Sequence, residues 1–430
     1  MTPPPARAPE TLVRVLGPVG LAAAIVNITI GGGIFRLPAN MAGALGAAAP
    51  LAYLVCAVAM ALIVWCIADA GRRVTLTGGP YAYVGTALGP YAGFISGVML
   101  WMLGTFAGAA VSTVFASSVG LLVPALSSPI AQALVLVGAF LFWTVINLQG
   151  AGLATRLNTT ATFAKLLPLL LVAVGGLFFI EPANLTWTTT PPAADIARTS
   201  LLLIFAFAGI EVALVPSGEV RDPERTVPRA IAIAMVAITT LYLLLQVVAQ
   251  GVLGPGLATA TAAPLADTAR QAFGGWAGTV LLVGASVSMF GYLGGMTMSM
   301  PRMVYAFARD GYLPAGLGTV SPGSQAPAAA IVVQTLITLA LALSGTFEQL
   351  ALLANVSALA LYLGCAIASA RLRGGLPLPQ AAATVVIVWL LTGLQAGEWV
   401  AFGVGVAAAS VVYVIRRSSG GPAGTQSQSA

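Results

Sequence analysis

Twelve runs of apolar residues, each near the roughly 20 residues a helix needs to cross a bilayer core, constrain this chain more than any other feature. They lie at approximately 16–39, 46–70, 86–122, 129–149, 158–180, 197–217, 228–253, 274–308, 327–345, 349–370, 378–395 and 397–415. Lipid offers no partner for backbone N–H and C=O groups, so such segments must close their own hydrogen bonds as helices. The reading is an all-α integral membrane protein with twelve transmembrane helices. With 59% apolar and 7% charged residues and a mean hydropathy of +0.97, the chain lacks the composition of a water-soluble domain. The first run is long, broken by glycine and followed by further spans, so it is read as retained and not as a secretory signal.

The basic residues set the orientation, because cytoplasmic loops are enriched in Lys and Arg. With the amino terminus inside, Arg7, Arg14, Arg72, Arg73, Arg156, Arg221, Arg225, Arg229, Arg302, Arg309, Arg371, Arg373, Arg416 and Arg417 fall on the inner side. Only Arg198 and Arg270 fall outside, and Arg36 and Lys165 lie within or beside spans. The expected location is the inner (plasma) membrane, multi-pass, with both termini cytoplasmic. A net charge of +6 then reports topology and attraction to anionic membrane lipid, and gives no argument for nucleic acid. The tails, rich in Pro, Ser, Gly and Gln, are expected to be disordered.

Several chemistries are excluded. Cys56, Cys66 and Cys365 all fall within spans, where a lone cysteine packs as a small apolar residue. The chain contains no histidine, so no H-E-x-x-H metal site exists, and any proton carrier must be a carboxylate, the lysine or a tyrosine. No phosphate-binding G-x-x-x-x-G-K-[ST] loop is present, and no nucleophile, base and oxyanion set is recognisable. The expectation is a protein that is not an enzyme and needs no cofactor and no metal.

Two of the runs are interrupted. Ile30-Gly31-Gly32-Gly33-Ile34-Phe35 breaks the first, and Phe207-Ala208-Gly209-Ile210-Glu211 breaks the sixth. Interruptions at corresponding positions of two halves point to an inverted-repeat transporter and to its binding site. The halves would be 12–181 (helices 1 to 5) and 195–373 (helices 6 to 10), with helices 11 and 12 at 377–417 and tails at 1–11 and 418–430. The half-helix after the first break presents free N–H groups and a positive dipole end, which suit a carboxylate. A substrate carboxylate is therefore assigned to the amides near Gly32, Gly33 and Ile34.

Five stretches carry a specific resemblance: Gly31-Gly32-Gly33-Ile34-Phe35 with Leu37-Pro38-Ala39, Thr77-Gly78-Gly79-Pro80-Tyr81-Ala82-Tyr83-Val84, Phe205 to Glu211, Gly218 to Arg229, and Arg302 to Pro314. On these the chain resembles the amino acid-polyamine-organocation (APC) superfamily, the bacterial amino acid permeases, over almost its whole length. The resemblance implies a LeuT-type 5+5 inverted repeat with discontinuous helices 1 and 6, a midplane site between helices 1, 3, 6, 8 and 10, and alternating access. It further implies that the substrate amine meets carbonyl ends near Thr29 or Ile30 and Phe205 or Ala208, beside Gly31 and Gly209. Phe205 matches the position of an aromatic gate.

Lys165 resembles a helix 5 lysine that proton-coupled relatives carry where sodium-coupled ones hold a cation; snorkelling to the headgroups is the alternative. Glu211 is a carboxylate deep in a span, either bridging the broken backbone or cycling a proton. Arg36 either attracts anionic substrates or snorkels outward. Asp69 with Arg72 and Arg73 forms an inner gate or a solvated loop pair. Trp101 and Ser112 on helix 3, Ser286, Ser288 and Phe290 on helix 8, and Asn355 and Ser357 on helix 10 are candidate pocket walls. The expected function is a secondary transporter moving a free amino acid, of neutral type, by proton symport. The alternatives are an uncoupled amino acid exchanger, a polyamine or organocation transporter, and a non-transporting membrane sensor.

Overall fold

The computed structural model describes residues 17–74, 80–149, 166–187, 190–209, 223–321, 324 and 326–418. Among these the regular structure is entirely helical. The tail at 1–11 and the residues after 418 lie outside them, as do Thr77-Gly78-Gly79 and Gly218 to Asp222 of the motifs. The helices are α1 Pro18–Thr29, α2 Gly33–Leu45, α3 Pro50–Gly71, α4 Pro80–Leu88, α5 Pro90–Leu122, α6 Pro129–Leu148, α7 Leu166–Phe179, α8 Ala193–Phe207, α9 Pro223–Leu253, α10 Pro264–Phe273, α11 Gly275–Arg309, α12 Ala328–Ser344, α13 Phe347–Arg373, α14 Leu378–Leu391 and α15 Ala396–Ser418. Many open on proline, whose missing N–H costs nothing in a helix's first turn. Thr346 and Gln349 form a reciprocal capping box at the start of α13, and Gly374 closes that helix in the left-handed conformation.

Seven of the described helices are long and apolar enough to cross a bilayer, and α7, α12 and α14 are shorter apolar helices. The protein is a multi-pass membrane protein by this measure. Its outward faces carry large apolar side chains, among them Leu134, Val236, Leu336, Val385 and Val404, each more than half exposed. In water such a surface would aggregate; against lipid it costs nothing.

The interruptions are where the glycines sit. α1 ends at Thr29, Ile30 leaves helical geometry (φ −73°, ψ 81°), and α2 begins at Gly33. α8 ends at Phe207, Ala208 is extended, and Gly209 takes φ +114°, a region that L side chains rarely adopt. Residues 210–222 lie outside the described set.

The buried interior is built around α5, which packs against α4, α11, α12 and α13, while α9 runs along α1 and α3. Polar side chains tie α8 to its neighbours through its backbone carbonyls. Cys56 of α3 donates to Ser200 O at 3.0 Å, and Asn355 of α13 donates to Leu201 O at 2.7 Å and Leu202 O at 3.1 Å.

Asp69 corrects one expectation. It is buried, 3% exposed, and makes no solvated loop pair. Arg373 grips both its oxygens at 2.8 Å, Ser369 donates at 2.9 Å, and Arg73 stands 3.7 Å away. Arg72 turns instead to the Trp65 ring, 5.9 Å from its centroid. The carboxylate thus joins α3 to α13, and through Gln380 to α14. A bidentate guanidinium on a buried carboxylate outweighs a single exposed contact, so Arg373→Ala should lower the thermal midpoint of the detergent-purified protein more than Arg73→Ala. Equal midpoints would contradict this ranking.

Candidate functional site

A partly open cavity lies where the gap between α1 and α2 meets the end of α8. Thr29, Gly31 and Gly33 line it from the first break, and Phe205, Ala208 and Gly209 from the second. α5 contributes Leu100, Leu103, Gly104, Ala107 and Val111, and α11 contributes Tyr292, Met296 and Met300. The α5 residues recur at three- and four-residue spacing, and the α11 residues four apart, so each helix offers one face. Among the described residues no charged side chain lines the cavity.

The polar character comes from the backbone. Gly32, Gly33 and Ile34 open α2, and the first amides of a helix have no intrahelical acceptor; they form its positive end. Thr29 Oγ1 is buried with no hydrogen-bond partner among the described residues. Tyr242, fully buried on α9, donates to Ala206 O at 2.9 Å and lies 3.3 Å from Thr29 O. One phenolic proton is therefore shared between the carbonyl ends of α1 and α8. The Tyr242 ring packs edge-on against Phe207 at 5.2 Å.

The glycines have distinct tasks. A Cβ on Gly33 would come within 2.9 Å of the Phe205 ring and 3.3 Å of Ala206 Cα, so Gly33 lets α2 touch the backbone of α8. A Cβ on Gly32 would meet Val111 Cγ1 at 2.9 Å and Met289, a contact with α5 and α11. Gly31 has more room, its nearest neighbour being Tyr292 at 3.8 Å.

Of the residues singled out from sequence, Thr29, Gly31, Gly33, Phe205, Ala208 and Gly209 line the cavity, while Ile30, Gly32 and Ile34 lie beside it with both isoleucine side chains fully buried. Lys165 and Glu211 lie outside the described residues. Trp101 donates to Gln334 Oε1 at 2.7 Å, and Phe290 joins a ring cluster with Phe115, Phe142 and Trp143. Neither lines the cavity, nor do Ser286, Ser112, Ser288, Asn355 and Ser357. Ser112 bonds Ala109 O within its own helix. Arg36 stands 3.8 Å from Glu348 and above the Phe347 ring, which meets Phe205 edge-on at 5.5 Å. This stack leads from the cavity wall to an ion pair. Sequence reasoning missed Tyr242, Tyr292, Gly104, Met296 and Met300; the small-residue spacing Gly104-Ala107-Gly108-Val111 was the signal available for α5.

Two helix ends that open onto one cavity inside an apolar helical bundle suit a membrane transport protein. The amino acid permease family model matches residues 16–372, and the chain belongs to that family, within the APC superfamily. It is 32% identical over 427 residues to uncharacterized transporters of Mycobacterium tuberculosis and Mycobacterium bovis, covering 95% of this chain and 93% of theirs. It is 25% identical over 311 residues to a cadaverine/lysine antiporter of Escherichia coli, covering 71% of this chain and 70% of that protein. Family and relatives are transporters, not enzymes.

Tyr242→Phe removes a donor from two buried carbonyls and should cost about 1–3 kcal/mol of stability, with faster amide exchange at the ends of α1 and α8. An unchanged thermal midpoint and unchanged exchange would show that the hydroxyl is dispensable. Gly33→Ala should push α2 from α8 and weaken amino acid binding about tenfold or more, read by calorimetry on the purified protein.

Proposed function

We propose that this protein is a secondary transporter that carries a free neutral amino acid by alternating access. In this reading it has twelve spans in a LeuT-type five-plus-five arrangement, with halves 12–181 and 195–373, helices 11 and 12 outside the repeat, and both termini cytoplasmic. The observation that carries it is the cavity bounded by both helix breaks, one from each half. The α2 amides hold the substrate carboxylate. The carbonyl ends at Thr29 or Ile30 and at Phe205 or Ala208 take the ammonium, so the backbone supplies the charge complement and desolvation strengthens each contact. The α5 and α11 faces receive the side chain. Their apolar lining favours neutral side chains, since a buried cation without an acidic partner is costly.

Phe205, capped by Phe347 and the Arg36–Glu348 pair, serves as the outer gate. Asp69 acts in the inner closure that ties α3 to α13. Proton coupling through Lys165, with Glu211 as a further proton site, rests on their sequence positions. An uncoupled exchanger is the second reading, favoured by a relative named as an antiporter.

Proteoliposomes decide between them. Uptake of a neutral amino acid driven by an inward proton gradient, lost or made gradient-independent in Lys165→Ala, supports symport. Uptake indifferent to pH but dependent on internal amino acid selects exchange, and binding without flux in either format rejects transport.

A further inference from the structure

Behind the substrate cavity lies a second, smaller pocket between α5, α6, α11 and α12. Gly104, Met296 and Met300 line both spaces, so they form the wall between them. The far side is polar: Thr297, Gln334, Thr335 and Thr338. These belong to a buried network in which Gln334 accepts from Trp101 at 2.7 Å and donates to Thr105 at 2.9 Å and Thr338 at 3.0 Å. Thr335 shares a hydrogen bond with Thr144 at 2.9 Å, and Asn147 donates to Thr297 at 3.2 Å.

The hydrogen-bond inventory of this pocket is weighted to acceptors. The Thr338 hydroxyl proton goes to Gln334 O and that of Thr297 to Leu293 O, so both of these donors are spent inside the helices. What remains are acceptor lone pairs on Thr297, Thr338 and Gln334 Oε1, with the one hydroxyl proton that the Thr144–Thr335 pair does not use between its members. Asn147, fully buried behind Thr297, has an Oδ1 with no partner among the described residues. Acceptors without an acid suit a neutral donor, because an ammonium there would lose its hydration with no countercharge.

The wall is made to move. A Cβ on Gly104 would fall 2.1 Å from Met300 Sδ, so the thioether sits in the notch that this glycine leaves. Methionine has three rotatable side-chain bonds and repacks readily. A rotation of Met300 out of the notch joins the two spaces past the missing side chain of Gly104. We infer that the rear pocket is a methionine-gated subsite for the neutral, hydrogen-bond-donating tip of a substrate side chain, a carboxamide above all. This deepens the amino acid transport reading and rests on it.

The test is binding of L-glutamine, L-leucine and L-alanine to the full-length protein in proteoliposomes, by calorimetry. L-glutamine should bind, and Thr338→Val should weaken it about tenfold relative to L-alanine, with Thr338→Ser restoring it. Gly104→Ala, whose Cβ fills the notch and narrows the passage between the two spaces, should lower the same glutamine-to-alanine ratio. If L-alanine or L-leucine binds while L-glutamine does not, or if the ratio is unmoved in both variants, the subsite is overturned and the transport reading stands. If none of the three binds, the transport reading fails and the subsite with it.

Discussion

A helix that stops inside a membrane leaves backbone groups that lipid cannot satisfy, and the rest of this structure depends on how those groups are met. At the carbonyl ends the task falls to Tyr242, whose hydroxyl reaches Ala206 and Thr29 from a third helix. A single proton bridging two helix ends holds the breaks together in space. At the amide end Gly33 lets α2 lie against the Phe205 ring and Ala206 Cα of α8. The breaks are thus supported by α9 and by each other, which leaves the opposite sides of their termini open to the cavity.

That arrangement divides the work of recognition. Peptide dipoles at the breaks present both signs of partial charge within one small space, which matches the invariant part of an amino acid. In the proposed transport reading, side chains on one face of α5 and one face of α11 meet the variable part. In that reading, with no charged side chain in the lining among the described residues, selectivity depends on volume and on neutral hydrogen bonding. The glycine and methionines of the wall make that volume adjustable, and the threonines and glutamine behind it give a polar destination.

The hydrophobic runs, the two breaks and the family motifs were legible because each is local: length, glycine content and charge are written along the chain. The pairing of Asp69 with Arg373 was not, since its members stand about three hundred residues apart and the nearer arginines were the natural guess. Trp101 and Phe290 show the same limit. Both lie on helices that line the cavity, but a side chain's direction depends on helix rotation, and each turns into other packing. Tyr242 gave no local sign, being one of several polar residues, with Thr239, Thr240 and Gln246, in an apolar run.

By itself the sequence determined that this chain crosses lipid repeatedly as helices and that glycines stand where α1 and α8 end, because hydropathy and backbone freedom are properties of short segments. Only the tertiary structure decided that Thr29 and Ala208 face one cavity, that Tyr242 ties the ends of α1 and α8, and that Gly104 and Met300 stand between two pockets. Those outcomes depend on the rotation and crossing of helices distant in sequence, which are set by close packing over the whole bundle.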